Sequence, residues 1–218
     1  MLSLLHTARA HVSTFERLAR ELGSTIPIRH EVQEGLLVEV LKAGAITDGI
    51  RTATSEAVRN LVLGGAKVVV CTCSTIGGLA EQVAVSHGVR VMRIDRPMAQ
   101  QAVARGGRIL VFAALRSTFE PTVALLRQVA VDASRSIEVV EILCERAWAL
   151  FERGDLVGYA REIAATVEAM ARPTDVVVLA QASMAPAAER LGHLGIPVLS
   201  SPKLGLEAAL SLYQSVKP

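Results

Sequence analysis

The chain has few aromatic residues, 3% of its 218 positions, so any core it builds must be aliphatic. It has only three cysteines, an odd number with no framework spacing. That excludes a disulfide-stapled scaffold and fits a reducing compartment, so a cytoplasmic location is expected. No apolar run reaches the roughly 18 residues of a membrane span, and the opening MLSLLHT lacks a basic flank, so it reads as a strand rather than a signal segment. Strong charge of either sign is missing too: 23 basic against 21 acidic residues leave +2, with the basic ones scattered, as at Arg9, Arg51, Arg90 and Arg172. Without a Lys/Arg block interleaved with aromatics, neither a nucleic-acid nor a membrane partner is expected. Neither G-x-G-x-x-G nor G-K-[ST] occurs, so Gly77-Gly78 is not a dinucleotide or phosphate loop.

What is present is aliphatic and alternating. Hydrophobic residues make up 51% of the chain, enough for one large domain or two small ones. Leu2–Thr7 reads as a strand, Val12–Leu22 as a helix with Phe15, Leu18, Ala19 and Leu22 on one side, and Pro27–Val32 as a second strand. Ala45–Leu63 is a helix closed by Gly64-Gly65, and Val89–Ile94 a strand after the stop at Gly88. The pattern then restarts after Arg105-Gly106-Gly107. Strands are expected at Arg108–Ala114, Ile137–Leu143, Asp175–Ala180 and Pro197–Ser200. Helices are expected at Pro121–Ala130, Leu156–Ala171, Ala187–Leu194 and Lys203–Val216. Such alternation predicts an α/β fold with parallel sheets.

The organising stretch is Lys67–Glu81, KVVVCTCSTIGGLAE. Val68, Val69 and Val70 are β-branched and bounded by turn formers, which predicts a strand buried on both faces. Cys73 falls at the end of that strand, before a helix expected to begin near Gly77. Ligands of open α/β sheets sit beyond the carboxyl ends of the strands, and a helix start favours a carboxylate or thiolate. Cys73 is therefore placed for chemistry.

The second half repeats the first. VVVCTCSTIGGLAE (68–81) aligns with VVVLAQASMAPAAE (176–189) at an offset of 108 (176 − 68), bringing Glu81 onto Glu189. Gly88-Val89-Arg90-Val91 falls on Gly195-Ile196-Pro197-Val198, and Leu4–Arg9 on Val111–Arg116, both at 107 (195 − 88; 111 − 4). A nearly constant step across three strands indicates internal duplication. The expected fold is two similar Rossmann-like, flavodoxin-like parallel-sheet domains with a site in the cleft between them, where Cys73 faces Gln181.

These residues resemble the Asp/Glu/hydantoin racemase superfamily, and the likeness spans essentially the whole chain. Members carry a cysteine after equivalent strands of each half. Here Cys73-Ser74-Thr75-Ile76-Gly77-Gly78-Leu79 is similar to the first motif. Leu179-Ala180-Gln181-Ala182-Ser183-Met184-Ala185 is similar to the second, with Gln181 in the cysteine position. Ala114-Leu115-Arg116-Ser117-Thr118 matches the hydroxyl pair that follows the first strand of the second half, with Ala114 replacing one hydroxyl. The resemblance implies a cofactor-independent enzyme working at the carbon next to a carboxylate or carbonyl of a small acid, as a homodimer or larger homo-oligomer. It also implies that the closing helix packs back on the first half, giving domains 1–97 with 203–218, and 98–202. Glutamine cannot serve as a general base near neutral pH, so two-thiol racemisation gives way to chemistry with one thiol, Cys73. A single-cysteine decarboxylase of a substituted malonate-like acid, or a non-catalytic binder of small carboxylates, remain as alternatives.

Substrate-binding candidates are His6, Thr7, Ser74, Thr75, Ser117, Thr118, Ala182 and Ser183, with Gln181 beside Cys73 as a catalytic candidate. Cys71 shares a strand face with Cys73 and reads as core; Cys144, near Trp148 and Phe151, reads as packing, as do Met98 and Met184. No metal site is expected from a lone C-x-C. Arg9 and Arg116 are equivalent by the repeat and suit either a carboxylate clamp or solvent. Asp95 either reaches the site or caps the next helix. His87 and His193 fall at helix ends and read as surface residues.

Overall fold

The computed structural model describes residues 1–85, 88–173 and 175–216. His87 lies outside the described residues. The chain runs β1 (Leu2–His6), α1 (Ala10–Glu21), β2 (Ile28–Val32), α2 (Glu34–Ala43), α3 (Asp48–Leu63), β3 (Val68–Cys71), α4 (Ser74–Glu81) and β4 (Arg90–Arg93). It continues through α5 (Arg96–Arg105), β5 (Gly107–Ala113), α6 (Phe119–Asp132), β6 (Ile137–Leu143), α7 (Ala147–Glu152) and α8 (Leu156–Met170). It closes with β7 (Asp175–Leu179), α9 (Ala185–Arg190), β8 (Val198–Ser200) and α10 (Ser201–Ser215). Two compact units result: Met1–Asp95 with Pro202–Pro218, and Arg96–Ser201. Among the described residues no helix is long and apolar enough to cross a membrane.

Each unit holds one four-stranded parallel sheet, in the order β2-β1-β3-β4 and β6-β5-β7-β8. The two orders are the same when the second unit is counted from its own first strand, as the repeat predicts. Equivalent hydrogen bonds close the strand ends. Thr72 N–H donates to the Leu5 carbonyl and Ala180 N–H to the Phe112 carbonyl, each at 2.9 Å. Those residues are related by the same steps as the sequence, 108 (180 − 72) and 107 (112 − 5).

In the first unit, alternation along the strands separates two cores. Leu2, Leu4, Val68, Val70 and Met92 meet Phe15 and Leu18 of α1 and Leu206 and Ala209 of α10. Leu5, Val69, Cys71 and Cys73 meet α2, α3 and α4 through Leu36, Val40, Val58, Leu61 and Ile76. The whole of β3 is thus apolar, as a strand covered on both faces must be. In the second unit Leu110, Phe112, Val177 and Leu179 pack on Tyr159, Ile163 and Val167 of α8, with Cys144 and Met184 in the same core.

Several sequence expectations need correction. The helix after β3 begins at Ser74 rather than near Gly77, and it ends at Glu81, well before Gly88. Gly77 and Gly78 are helix-interior residues that admit Arg93: a Cβ at Gly77 would lie 3.0 Å from Arg93 Cβ. Two helices carried too weak a pattern to read. In α2 the apolar residues run nearly unbroken, yet only Leu36 and Val40 are buried while Val38 stays 58% exposed. In α5 the buried face is Met98, Ala99, Ala102 and Val103, half of it alanine. The Ala187–Leu194 helix is shorter and earlier, Ala185–Arg190, followed by a 3-10 turn at Gly192–Leu194.

Gly205 of α10 is where this helix meets the residue that follows β4: a Cβ there would strike the Ile94 carbonyl oxygen and side chain. Gly205→Ala is expected to lower stability by at least about 1–3 kcal/mol, because backbone cannot yield as a flexible side chain does. Urea denaturation of the two proteins measures it.

Candidate functional site

In each sheet the chain leaves its first strand toward one edge and returns to the other side for its third. The carboxyl ends of β1 and β3, and of β5 and β7, are therefore switch points, where open α/β sheets bind ligands. A surface groove of about 310 Å³ sits elsewhere, against the segment 22–26 and α10, and Glu207 is the one ionisable side chain in its lining. The chemistry-bearing groups lie at the switch points.

In the first unit Cys73 is the N-cap residue of α4, in extended conformation (φ −100°, ψ 116°), and is 7% exposed. Its side chain makes no capping hydrogen bond. Cys71 lies on the same face, fully buried, its thiol 3.6 Å from the Cys73 carbonyl, which accepts from it. Burial, with Cys73 adding to it, pushes the Cys71 thiol well up, so Cys71 stays a protonated core residue. Ser74 and Thr75 are buried in the first turn of α4, and Thr7 is buried at the end of β1.

Arg93 holds this helix start. Its Nε and Nη2 donate to the two carboxylate oxygens of Asp95 at 2.6 and 2.8 Å, and Nη2 also reaches the Ser74 carbonyl at 3.4 Å. The Arg93 backbone N–H donates to Glu81 Oε1 at 3.3 Å, at the far end of α4. One residue thus engages both ends of α4 while lying over its glycines. Asp95 serves as the partner of Arg93, an arrangement that neither of its sequence readings contained.

His6 is the centre of a buried polar chain. Thr72 Oγ1 donates to the Leu5 carbonyl at 3.1 Å, so it accepts from His6 Nδ1 at 2.8 Å. His6 Nε2 then accepts from His30 Nδ1 at 2.9 Å. These directions assign the Nδ1–H tautomer to both rings. With both nitrogens engaged by protein, His6 orders the end of β1 rather than presenting a free imidazole. His11, in the first turn of α1, lies edge-on to His6 with ring centroids 6.1 Å apart. It is buried, and neither of its nitrogens finds a hydrogen-bond partner among the described residues. Burial holds His6 at about 3, helped by His11 and His30, and holds His11 at about 4; His30 is also lowered by burial. All three imidazoles are neutral at pH 7.

The second unit carries an amide at its switch point where the first carries a thiol. Gln181 occupies the Cys73 position at the end of β7, and its Oε1 accepts from the Ala114 N–H at 2.6 Å. This bond spans the ends of β5 and β7 and fixes the amide, leaving Nε2 as the donor end. Ser117 and Thr118 sit in the 3-10 turn leading into α6, and their buried hydroxyls have no partner among the described residues. Ala182 is buried beside Gln181, while Ser183 is tied to the Tyr159 hydroxyl at 2.9 Å. Burial raises Tyr159 despite that bond. Cys144 is pushed up to about 11 by burial and lies in the core with Tyr159.

Arg9 and Arg116 are exposed. His193 lies at the surface, 3.4 Å from Glu168. Among the described residues, no three His, Cys, Asp or Glu side chains converge to hold a metal ion. Sequence reasoning missed Thr72, His11, His30 and Arg93. Leu4 and His6 share a face with His30 by strand register, so only the His6–His30 contact left a sequence signal.

Two outcomes follow from this geometry. Arg93→Met leaves Asp95 buried without its partner and is expected to cost about 3–5 kcal/mol in urea denaturation. The pH dependence has a definite sign. His11 titrates near 6.5 when unfolded and about 4 when folded, so its contribution is intact above pH 6.5 and is lost as pH falls. Between pH 7 and 5 wild type is expected to lose about 1–2 kcal/mol that His11→Phe retains, measured by urea midpoints at both pH values.

No protein-family model matches the chain, and no curated protein matches it. Solved structures do. The chain is similar to Picrophilus torridus aspartate racemase (TM-score 0.72, 12% identity, covering 100% of this chain and 95% of that one). It is similar to a glutamate racemase from Bacillus anthracis (TM-score 0.67, 14% identity, 99% and 83% covered). Allantoin racemase from Pseudomonas fluorescens is a further match (TM-score 0.54, 18% identity, 98% and 91% covered). The chain therefore has the fold of these racemase structures, an α/β fold of two parallel-sheet units.

Proposed function

We propose that the chain is a cofactor-independent enzyme of the Asp/Glu/hydantoin racemase superfamily that acts at the carbon next to the carboxylate or carbonyl of a small acid. The observation that carries this reading is Cys73, an N-cap thiol at the switch point of a unit with the fold of racemase structures. A thiolate there removes the α-proton, leaving an enediolate whose new negative charge needs hydrogen-bond donors. Thr7, Ser74 and Thr75 supply such groups in the first unit. In the second, the Gln181 amide and the unpartnered hydroxyls of Ser117 and Thr118 suit a carboxylate. His6 and Ser183, already bonded within the protein, act through the residues they hold.

Gln181 favours one-thiol chemistry over racemisation by two thiols. Its carbonyl is committed to Ala114, and an amide takes no proton at neutral pH. One thiol suffices to protonate a carbanion on a single face, as in decarboxylation of a substituted malonate, so lyase activity stands beside isomerisation in this reading.

The test is α-proton exchange and CO₂ release in D₂O, followed by NMR over amino acids, hydantoins and substituted malonates. Turnover by wild type that falls by about 10²–10⁴-fold or more in Cys73→Ala is expected. Full activity in that variant would overturn the assignment. Saturable ligand shifts without turnover in either protein would make the chain a carboxylate binder.

A further inference from the structure

The outward face of α2 is apolar at its centre. Leu36 and Val40 anchor the helix in the core beneath it. Val38 is two residues from each, about 200° round the helix, and so points away from that core. It is 58% exposed, and Leu41, three residues further along the same face, is 39% exposed. Single apolar residues on a surface are ordinary, and Leu63, Val131 and Met170 are of that kind, each at or next to a helix end. In α2 two such residues stand at helical spacing on a face that is held at both ends. The Gln33 N–H donates to the His6 carbonyl at 2.8 Å before the helix, and the Gly44 N–H to the Val40 carbonyl at 2.9 Å after it.

Gly35 supplies a second, independent observation. Glycine weakens a helix, and a positive φ or a close neighbour is what ordinarily requires it. Gly35 has neither reason within the chain: its φ is not positive, and a Cβ built on it would meet nothing within 4 Å. The room it leaves opens on the face that carries Val38 and Leu41. That room has a use when another helix approaches this face closely.

The face is also ordered about Val38. Glu34 lies four residues before it and Lys42 four after; Gly35 lies three before and Leu41 three after. In an antiparallel pair of these helices, a two-fold axis at Val38 sets Glu34 of each copy level with Lys42 of the other. The same axis sets Leu41 of each level with Gly35 of the other. Glu34 Oε1 accepts from the Arg9 N–H at 3.0 Å, which leaves Oε2 for such a pair. Lys42 is exposed and has no ion-pair partner among the described residues. The face therefore complements itself in both charge and shape.

We propose that this face is a contact between two copies of the chain, packing α2 against α2 about a two-fold axis at Val38. One helix pair buries less than the roughly 1,200 Å² at which stable interfaces begin, so the dimer is weak, with a Kd on the order of 100 µM. The inference stands apart from the reading of Cys73.

Sedimentation velocity on the full chain, from about 10 µM to about 1 mM, is expected to show monomer passing into dimer. Val38→Glu sets two carboxylates together at the axis and should weaken the dimer by about tenfold or more, with the urea midpoint unchanged because the residue is exposed. Gly35→Gln separates association from folding: it should raise the urea midpoint and still weaken the dimer by about tenfold or more. Glu34→Lys and Lys42→Glu should each weaken self-association, and an equimolar mixture of the two should recover a dimer, since that pair has opposite charges at both ends. Wild type that stays monomeric to about 1 mM overturns the inference and leaves the face to another partner or to solvent. A dimer unchanged by both Val38→Glu and Gly35→Gln overturns it too, placing the contact elsewhere on the chain. A mixture that associates no better than its components overturns the two-fold pairing.

Discussion

The central strands are covered on both faces, and most of the molecule follows from this. Leu2, Leu4 and Leu5 of β1 and the whole of β3 are fully buried, as are Ile109 through Ala113 of β5 and Val177 through Leu179 of β7. A polar side chain along such a strand is costly, since neither face offers water, and Ser3 of β1, whose buried hydroxyl has no partner among the described residues, stands as the exception on that strand before His6 at its end. Polar residues are pushed to the ends, and the strand order decides which ends adjoin. Thr72, Cys73, Ala180 and Gln181 are the first residues past β3 and β7, where the buried strands give way to the segments that lead into the next helices.

Placing a thiol at such an end is easy; holding the helix that begins there is harder. α4 is only eight residues long, too short to be stable on its own propensity, and it contains two glycines that weaken it further. The compensation comes from β4. Arg93 lies against Gly77 and Gly78, binds the Ser74 carbonyl, and is itself neutralised by Asp95 in a two-point contact buried from solvent. Glycine lowers the helix's intrinsic stability yet makes room for the guanidinium that fixes it. A larger residue at 77 would keep the propensity and lose the anchor.

Part of this was legible in the chain. The apolar run ending in Cys73, the repeat that aligns it with Gln181, and the parallel α/β class all follow from patterns that lie along the sequence. Gly77-Gly78 misled because glycine pairs usually mark a break, and the reason they sit inside a helix is the Arg93 side chain, 15 and 16 residues away (93 − 78; 93 − 77). The helices α2 and α5 went unread because one exposes part of its apolar face and the other buries alanines. Asp95 was visible as a residue with a role, but its partner two positions earlier is recognised only once β4 turns both side chains toward α4. His11 gave no signal at all, because being unpartnered is a property of surroundings.

The two units share their strand order and their strand-end hydrogen bonds, and differ in what those ends carry. By the offsets, His6 corresponds to Ala113 (113 − 6), Thr72 to Ala180 (180 − 72), and Cys73 to Gln181 (181 − 73). The first unit thus links β1 to β3 through an imidazole and a hydroxyl, whereas the second makes the equivalent link from Gln181 to the Ala114 backbone. One unit keeps groups able to gain or lose a proton; the other keeps neutral donors and acceptors that can hold charge but cannot move a proton. In the proposed function proton transfer is therefore assigned to the first unit, through Cys73. Two-base chemistry would require more than a cysteine at 181, because the Ala114 N–H that binds the glutamine would lose its partner.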